Sequence, residues 1–387
     1  MTGGIKRRIS SIGLGFCLVV ASLTGLAQHA IQYFHTPTVN GTCDSVILHS
    51  IEDIDTLTHP VLRQVVDIEG EPLHYSREIV TSVCFDGKCR LLRVVVYWNV
   101  TGRYLGFALP DDEFLSKTEH EPFVPSEYDK LHEILQDPHS PLGEIAFSEL
   151  VPSPVSGGLS VDAVSSATAR HLSDQIVPGA AFTTYTLWHI VYGPTAKEVS
   201  ALTALALSEN LWLRILDSPV ASDKAWALEY RDRVEHSSPA IRDALLALCL
   251  SSDYFLADRS LRAITGEDLS HSPFQLALVQ HLPSIDYGLR KLVLTTLRKG
   301  RQLDDAVVKR LASMLADLNG DLLLEVFRLF DEKGVDDVEV FRSVADLLVR
   351  DNSFIARQAY SFLKKKEVSD KTVQRKISRF ESKNDLD

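Results

Sequence analysis

Apolar and polar positions follow two different rhythms along this 387-residue chain. Between Glu78 and Leu109 the rhythm is that of strands. Ile79 to Phe85, Arg90 to Trp98 and Tyr104 to Leu109 are rich in Val, Ile, Tyr and Leu, and turn residues separate them. The pattern predicts an antiparallel meander whose last pair turns at Thr101-Gly102. Residues 36–77, broken by Pro37, Pro60, Gly70 and Pro72, predict irregular structure with short strands. A helix is predicted from Ser126 to Leu135, with Ser126 as its cap and Leu131, Ile134 and Leu135 on one face. Prolines and glycines crowd residues 137–160, which therefore predict loops and turns. Asp162 to Ser173 has a helix-compatible composition that Pro178-Gly179 ends. Phe182 to Tyr192 is aromatic and apolar with no deciding period, so it fits a last strand or the start of a buried helix.

Beyond Thr195 the period changes to that of helices. Ten segments between Val199 and Leu363 carry apolar residues three and four apart. Helix starts at Ser284-Ile285, Asn319-Gly320 and Asp351-Asn352 stand 32 to 35 residues apart, the spacing of a helix-pair solenoid. With Arg242, Arg290 and Arg357 early in helices, this part resembles HEAT-type repeats; an irregular helical bundle is the alternative. The expected architecture is an α+β N-terminal domain, an antiparallel sheet with helices, over residues 36–194. An all-α, HEAT-like repeat domain is expected over 195–387.

The first thirty residues stand apart from both rhythms. Lys6, Arg7 and Arg8 precede an apolar run from Ile9 to Ala27 that no charge interrupts, the layout of a signal peptide or membrane anchor. Gly25-Leu26-Ala27 offers the small residues that a signal peptidase reads. Phe16 before Cys17 is too bulky for a lipoprotein signal. The chain is expected outside the cytoplasm, periplasmic or anchored to the membrane.

Composition narrows the partners. With 45% apolar and 24% charged residues the chain is of a folded, globular type, and a net charge of −12 argues against nucleic acid. One basic stretch, Lys364, Lys365, Lys366, Lys371, Arg375, Lys376 and Arg379, runs counter to that balance near the end. It reads as a solvated helix face, or as a contact for anionic lipid or a partner. Cys84 and Cys89 flank an Asp86-Gly87 turn between two strand-like runs, which should bring their sulfurs onto facing strands. In an oxidising compartment they form a structural disulfide or a redox-active thiol pair. Glu119-His120-Glu121 and His132 to His139 offer weak metal ligands with nothing else converging on them.

The densest chemical signal is Asp162-Ala163-Val164-Ser165-Ser166-Ala167-Thr168. It resembles the acceptor motif Asp-x-x-(Ser/Thr)-Gly-Ala-(Thr/Ser) of FMN-binding domains, found in the covalently flavinylated subunit of the sodium-pumping quinone reductase and in related extracytoplasmic flavoproteins. The resemblance spans about residues 78–192. It implies that a flavin transferase joins FMN to the Thr168 hydroxyl as a phosphoester, with Asp162 at the recognition position and Ser165 at the hydroxyl position. Ser166 and Ala167 are small enough for close approach, although Ser166 stands where the family has Gly. The family's Glu-Thr-Pro-Gly-Leu-Gly segment is absent, so its ring pocket does not carry over. Tyr185 and Trp188, in the stretch that follows the motif, could stack on the flavin; ordinary core packing is the alternative. What the resemblance implies is an electron-transfer flavoprotein, a carrier more than a stand-alone enzyme, fed by a membrane-bound redox partner, with a protein partner on the helical repeats. Two rival functions stand beside it: an exported, non-redox scaffold built on those repeats, and a thiol-disulfide relay through Cys84 and Cys89.

Overall fold

The computed structural model describes residues 31–51, 61–82, 90–117, 120–146 and 174–384. Two compact units divide between Ile215 and Leu216. The first is α+β. Its strands β1 (Ser45–Ser50), β2 (Val61–Val66), β3 (Pro72–Thr81), β4 (Leu92–Asn99) and β5 (Tyr104–Ala108) form an antiparallel meander in chain order. β3 begins at Pro72, earlier than its apolar content suggests, because Leu73, Tyr75, Arg77 and Ile79 all turn to the buried face. On β4, Val94, Val96 and Trp98 lie on that same alternation and are fully buried.

Residues 31–35 cover the outer edge of β5. Tyr33 and His35 donate backbone hydrogen bonds to Phe107 and Leu105, and Leu109 donates to Ile31. This close approach needs Gly106, since a Cβ there would stand 2.0 Å from the Tyr33 carbonyl oxygen. Covering the edge also removes a template for unwanted strand pairing.

Helix α1 (Pro125–Gln136) packs on β5 with Leu131, Ile134 and Leu135 buried, the face predicted for it. Its cap differs from the expectation. Pro125 occupies the first helical position, where its missing N–H costs nothing, so the cap falls on Val124 and not Ser126. The Glu127 carboxylate takes the Val124 N–H at 2.8 Å in its place. The ambiguous aromatic run is a helix, α2 (Ala181–Val191), and Trp98 Nε1 donates to its Val191 carbonyl at 2.8 Å.

Two further helices, α3 (Pro194–Leu205) and α4 (Glu209–Leu216), follow without a break. Periodicity alone puts the start of the helical domain at 195, yet α3 is tied to the sheet. Tyr75 bonds Thr203 at 3.0 Å, and buried Arg77 donates to Thr195. Helical periodicity changes here before the packing partner does.

The second unit is a regular helix-pair array. First helices are α5 (Ala221–Glu229), α7 (Tyr254–Ala263), α9 (Tyr287–Leu297), α11 (Gly320–Glu332) and α13 (Ser353–Lys364). Second helices are α6 (Pro239–Cys249), α8 (Ser272–Gln280), α10 (Asp305–Met314), α12 (Val338–Asp346) and α14 (Lys371–Asn384). Each start falls 33 residues after the last in its own series. First helices pack on first helices and second on second, which is a solenoid and not an irregular bundle. Caps recur in step: Asp253, Asp286, Asn319 and Asn352 each accept a backbone N–H of the helix they begin.

Successive repeats are also stitched at the other end. Lys299 Nζ donates to the Arg262 and Ile264 carbonyls at 2.8 and 2.9 Å, and Lys333 does the same to Arg298 and Gly300 one repeat later. The arginine signature does not follow the period. Arg242 lies on a second helix, whereas Arg290 and Arg357 lie on first helices at different depths. Arg242 and Arg290 each donate to a carbonyl five residues back, a local tie that any helix start can use.

Candidate functional site

Asp162, Ser165, Ser166, Ala167 and Thr168 lie outside the described residues, as do Cys84, Cys89, the apolar N-terminal run and Glu119. The structure bears on the segment expected to accept a flavin only through what flanks it, residues 137–146 and 174–180. Both are held by α2.

One side of α2, continued by its C-cap Tyr192, grips the backbone before the segment at Tyr185, at the adjacent Trp188 and His189, and at Tyr192, one helical turn apart. Tyr185 Oη donates to the Ile145 carbonyl at 2.9 Å, and Trp188 Nε1 donates to Asp137 at 2.9 Å. His189 Nε2 reaches the Leu142 carbonyl at 3.0 Å, and Tyr192 Oη donates to Leu135 at 2.7 Å. This periodicity of polar-tipped rings was visible in the sequence, but its partners are carbonyls, which carry no sequence signature. Gly143 lets the indole of Trp188 close over the turn, because a Cβ would stand 2.8 Å from the ring. On the far side of the segment, Val177 N donates to Thr184 Oγ1 on the same helix. Ser140 Oγ donates to Gln175 Oε1 at 3.2 Å and so joins the two flanks directly.

The two rings expected near a flavin are therefore placed by packing. Trp188 is 7% exposed, with the Tyr192 and His189 rings at 4.8 and 5.1 Å. Tyr185 is half-buried, and His189 lies 4.1 Å from its centroid. Burial, and secondarily the Asp137 charge, raise the Tyr192 pKa, so its hydroxyl stays protonated and keeps its bond to Leu135.

Two other polar clusters lie in this unit; of their members the sequence pointed only to His132, and with His139 as its companion. Tyr104 Oη bonds His132 Nδ1 at 3.0 Å, and His132 Nε2 meets His35 Nε2 at 2.9 Å. Burial, then the neighbouring His35, pull the His132 pKa down to about 4. His132 is thus a neutral imidazole bridging a strand and the 31–35 segment, and its partner is His35 and not His139. In the second cluster the carboxylates of Asp67, Glu69 and Glu71 converge, the one such group of three among the described residues. Arg214 fills it, donating to Asp67 at 3.0 Å and to Glu71 at 2.7 Å. Burial alone would raise the Asp67 pKa, but bonds from Arg214 and from the Glu71 and Glu69 amides hold it below the usual value. The guanidinium neutralises two of the three carboxylates, so this cluster ties α4 to the β2–β3 turn.

Cys249 is a buried thiol pushed up to about 12 by burial, and it is inert at neutral pH. No helix among the described residues is long and apolar enough to cross a membrane. No family model matches the chain, and no curated protein matches it either.

Proposed function

We propose that this chain is an extracytoplasmic electron carrier that holds FMN as a phosphoester on Thr168. The observation that carries the reading is the seven-residue segment Asp162 to Thr168. Its support from the fold is mechanical. A side chain that bears a large group for a distant partner benefits from anchored flanks; α2 binds the chain at Leu142 and Ile145 before the segment and at Val177 after it, and Ser140 bonds Gln175 across the two flanks.

Thr168 supplies the oxygen of the ester, Asp162 the acidic recognition position, and Ser165 a second hydroxyl; Ser166 and Ala167 keep the approach open. FMN, when bound, supplies reversible one- and two-electron chemistry that no side chain here provides. Tyr185 and Trp188 hold the flank before the segment through the Ile145 and Asp137 carbonyls. The N-terminal run exports the carrier or anchors it at the membrane, where a membrane reductase feeds it, and the repeat unit offers its surface to a protein partner. Covalent attachment suits such a place, because a cofactor lost outside the cytoplasm is not replaced there.

The full chain coexpressed with a flavin transferase should gain the mass of one FMN less one water, and Thr168→Val should abolish that gain. The regularity of the five repeats favours a second reading, an exported scaffold without redox work. An unmodified mass under those conditions would select it.

A further inference from the structure

The last helix carries a feature that neither the flavin reading nor the repeat packing uses. On α14, Lys371, Arg375, Arg379 and Lys383 follow each other at intervals of four. Residues four apart on a helix lie on one face, so the four cations form a single row. Twelve residues at about 1.5 Å each make it roughly 18 Å long. All four are exposed.

None of the four forms an ion pair among the described residues, whereas their basic neighbours do. Lys364 pairs with Glu381, Lys365 and Lys366 with Asp331, and Lys376 with Asp346. The opposite side of α14 holds Val373 and Phe380, both buried, and packs on α12. The row therefore faces away from the repeats, and no helix covers it among the described residues. A chain of net charge −12 has in this way kept four unneutralised cations aligned on its final helix.

We infer that this row is a docking surface for the anionic headgroups of a phospholipid bilayer. A flat charged plane can meet all four cations at once. The row has no aromatic side chain interleaved with it, which a single-stranded nucleic acid would use for stacking. Its apolar residues face inward, so the contact is adsorption without insertion, and salt must weaken it. Where it is retained as an anchor, the Ile9–Ala27 run brings the same chain to a membrane independently of α14. The inference rests on α14 and does not require flavin on Thr168.

The test is co-sedimentation of the full chain with two sets of vesicles, pure phosphatidylcholine and phosphatidylcholine with about a third phosphatidylglycerol. The N-terminal run contributes to both, so the ratio of the two partition coefficients reports the charge contribution of the whole chain, Lys6, Arg7 and Arg8 included, and its fall on substitution isolates that of α14. A cation near an anionic surface is worth about fivefold in affinity. Arg375→Gln with Arg379→Gln should therefore lower the ratio about 25-fold, and 0.5 M NaCl should collapse it for the parent chain. Lys364→Gln with Lys365→Gln, at cations already paired, should leave it nearly unchanged. An equal partition of the parent chain into both vesicles would overturn the inference. So would a double α14 variant, folded by circular dichroism, that keeps the parent ratio. Tighter, α14-dependent retention on single-stranded DNA than on the anionic vesicles would reassign the row to nucleic acid.

Discussion

Asp268 is a buried, ion-paired carboxylate of the repeat unit, so a single change there has a calculable cost. It is fully buried, accepts from the Thr265 N–H and hydroxyl at 2.8 Å each, and receives Arg231 Nη2 at 2.9 Å. Arg231 is itself 3% exposed and also donates to the Val234 carbonyl. Asp268→Ala leaves a buried guanidinium without its counter-charge, which costs about 3–5 kcal/mol. For a unit of this size 1 kcal/mol moves the midpoint by about 2–4 °C, so the unit should melt roughly 6–20 °C lower. The assay is thermal unfolding of the full chain followed by helical circular dichroism, with calorimetry to separate the two units' transitions. Replacing both partners by apolar residues of similar size, Arg231→Met with Asp268→Leu, should recover most of the loss, because the cost lies in the unpaired charge. Acid should act in the same direction. Burial alone would raise the Asp268 pKa, but hydrogen bonds from Ser237 and Thr265 and the Arg231 charge bring it below the usual value. Its contribution is therefore present above about pH 4 and is lost as pH falls through the folded value. A melting point for Asp268→Ala within about 2 °C of the parent, or a double variant worse than the single one, would refute this account.

Other consequences are as direct. His132 titrates near 6.5 when unfolded and about 4 when folded, so the first unit should lose up to about 3 kcal/mol as pH falls across that window. Urea unfolding at a series of pH values should show that slope, and His132→Gln should flatten it. Gly106→Ala should push residues 31–35 off β5, and amide hydrogen exchange at Tyr33 and His35 should then lose its protection; unchanged protection would contradict the 2.0 Å approach. Lys333→Met removes a charged donor from the Arg298 and Gly300 carbonyls and should cost roughly 1–3 kcal/mol in chemical denaturation.

The sequence was most legible where a period is unambiguous. β4, β5 and α1 fall close to their expected bounds, since alternation on Val94, Val96 and Trp98 and the Leu131 to Leu135 face leave one solution each. The repeat spacing was visible because Asn319 and Asn352 cap helices that begin one after the other in register. Phe182 to Tyr192 was undecidable because its apolar residues fall on more than one side of a helix; the helical spacing of Tyr185, Trp188 and Tyr192 was there to read, but their carbonyl partners were not. Likewise α3 reads as the start of the helical half, and nothing local to Thr195 or Thr203 foretells their bonds to a strand more than a hundred residues earlier. The His35–His132 and Arg214–Asp67 pairs were hidden for the same reason: their members are far apart in the chain and ordinary in type.

The flavin assignment rests on one hydroxyl, and peptide-level mass spectrometry tests it most directly. Full-length chain from cells that also make a flavin transferase should yield a fluorescent peptide containing Asp162 to Thr168, heavier by FMN less water, with the modification on Thr168. That peptide recovered unmodified, from cells in which the transferase is shown to be active on another substrate, would contradict the account.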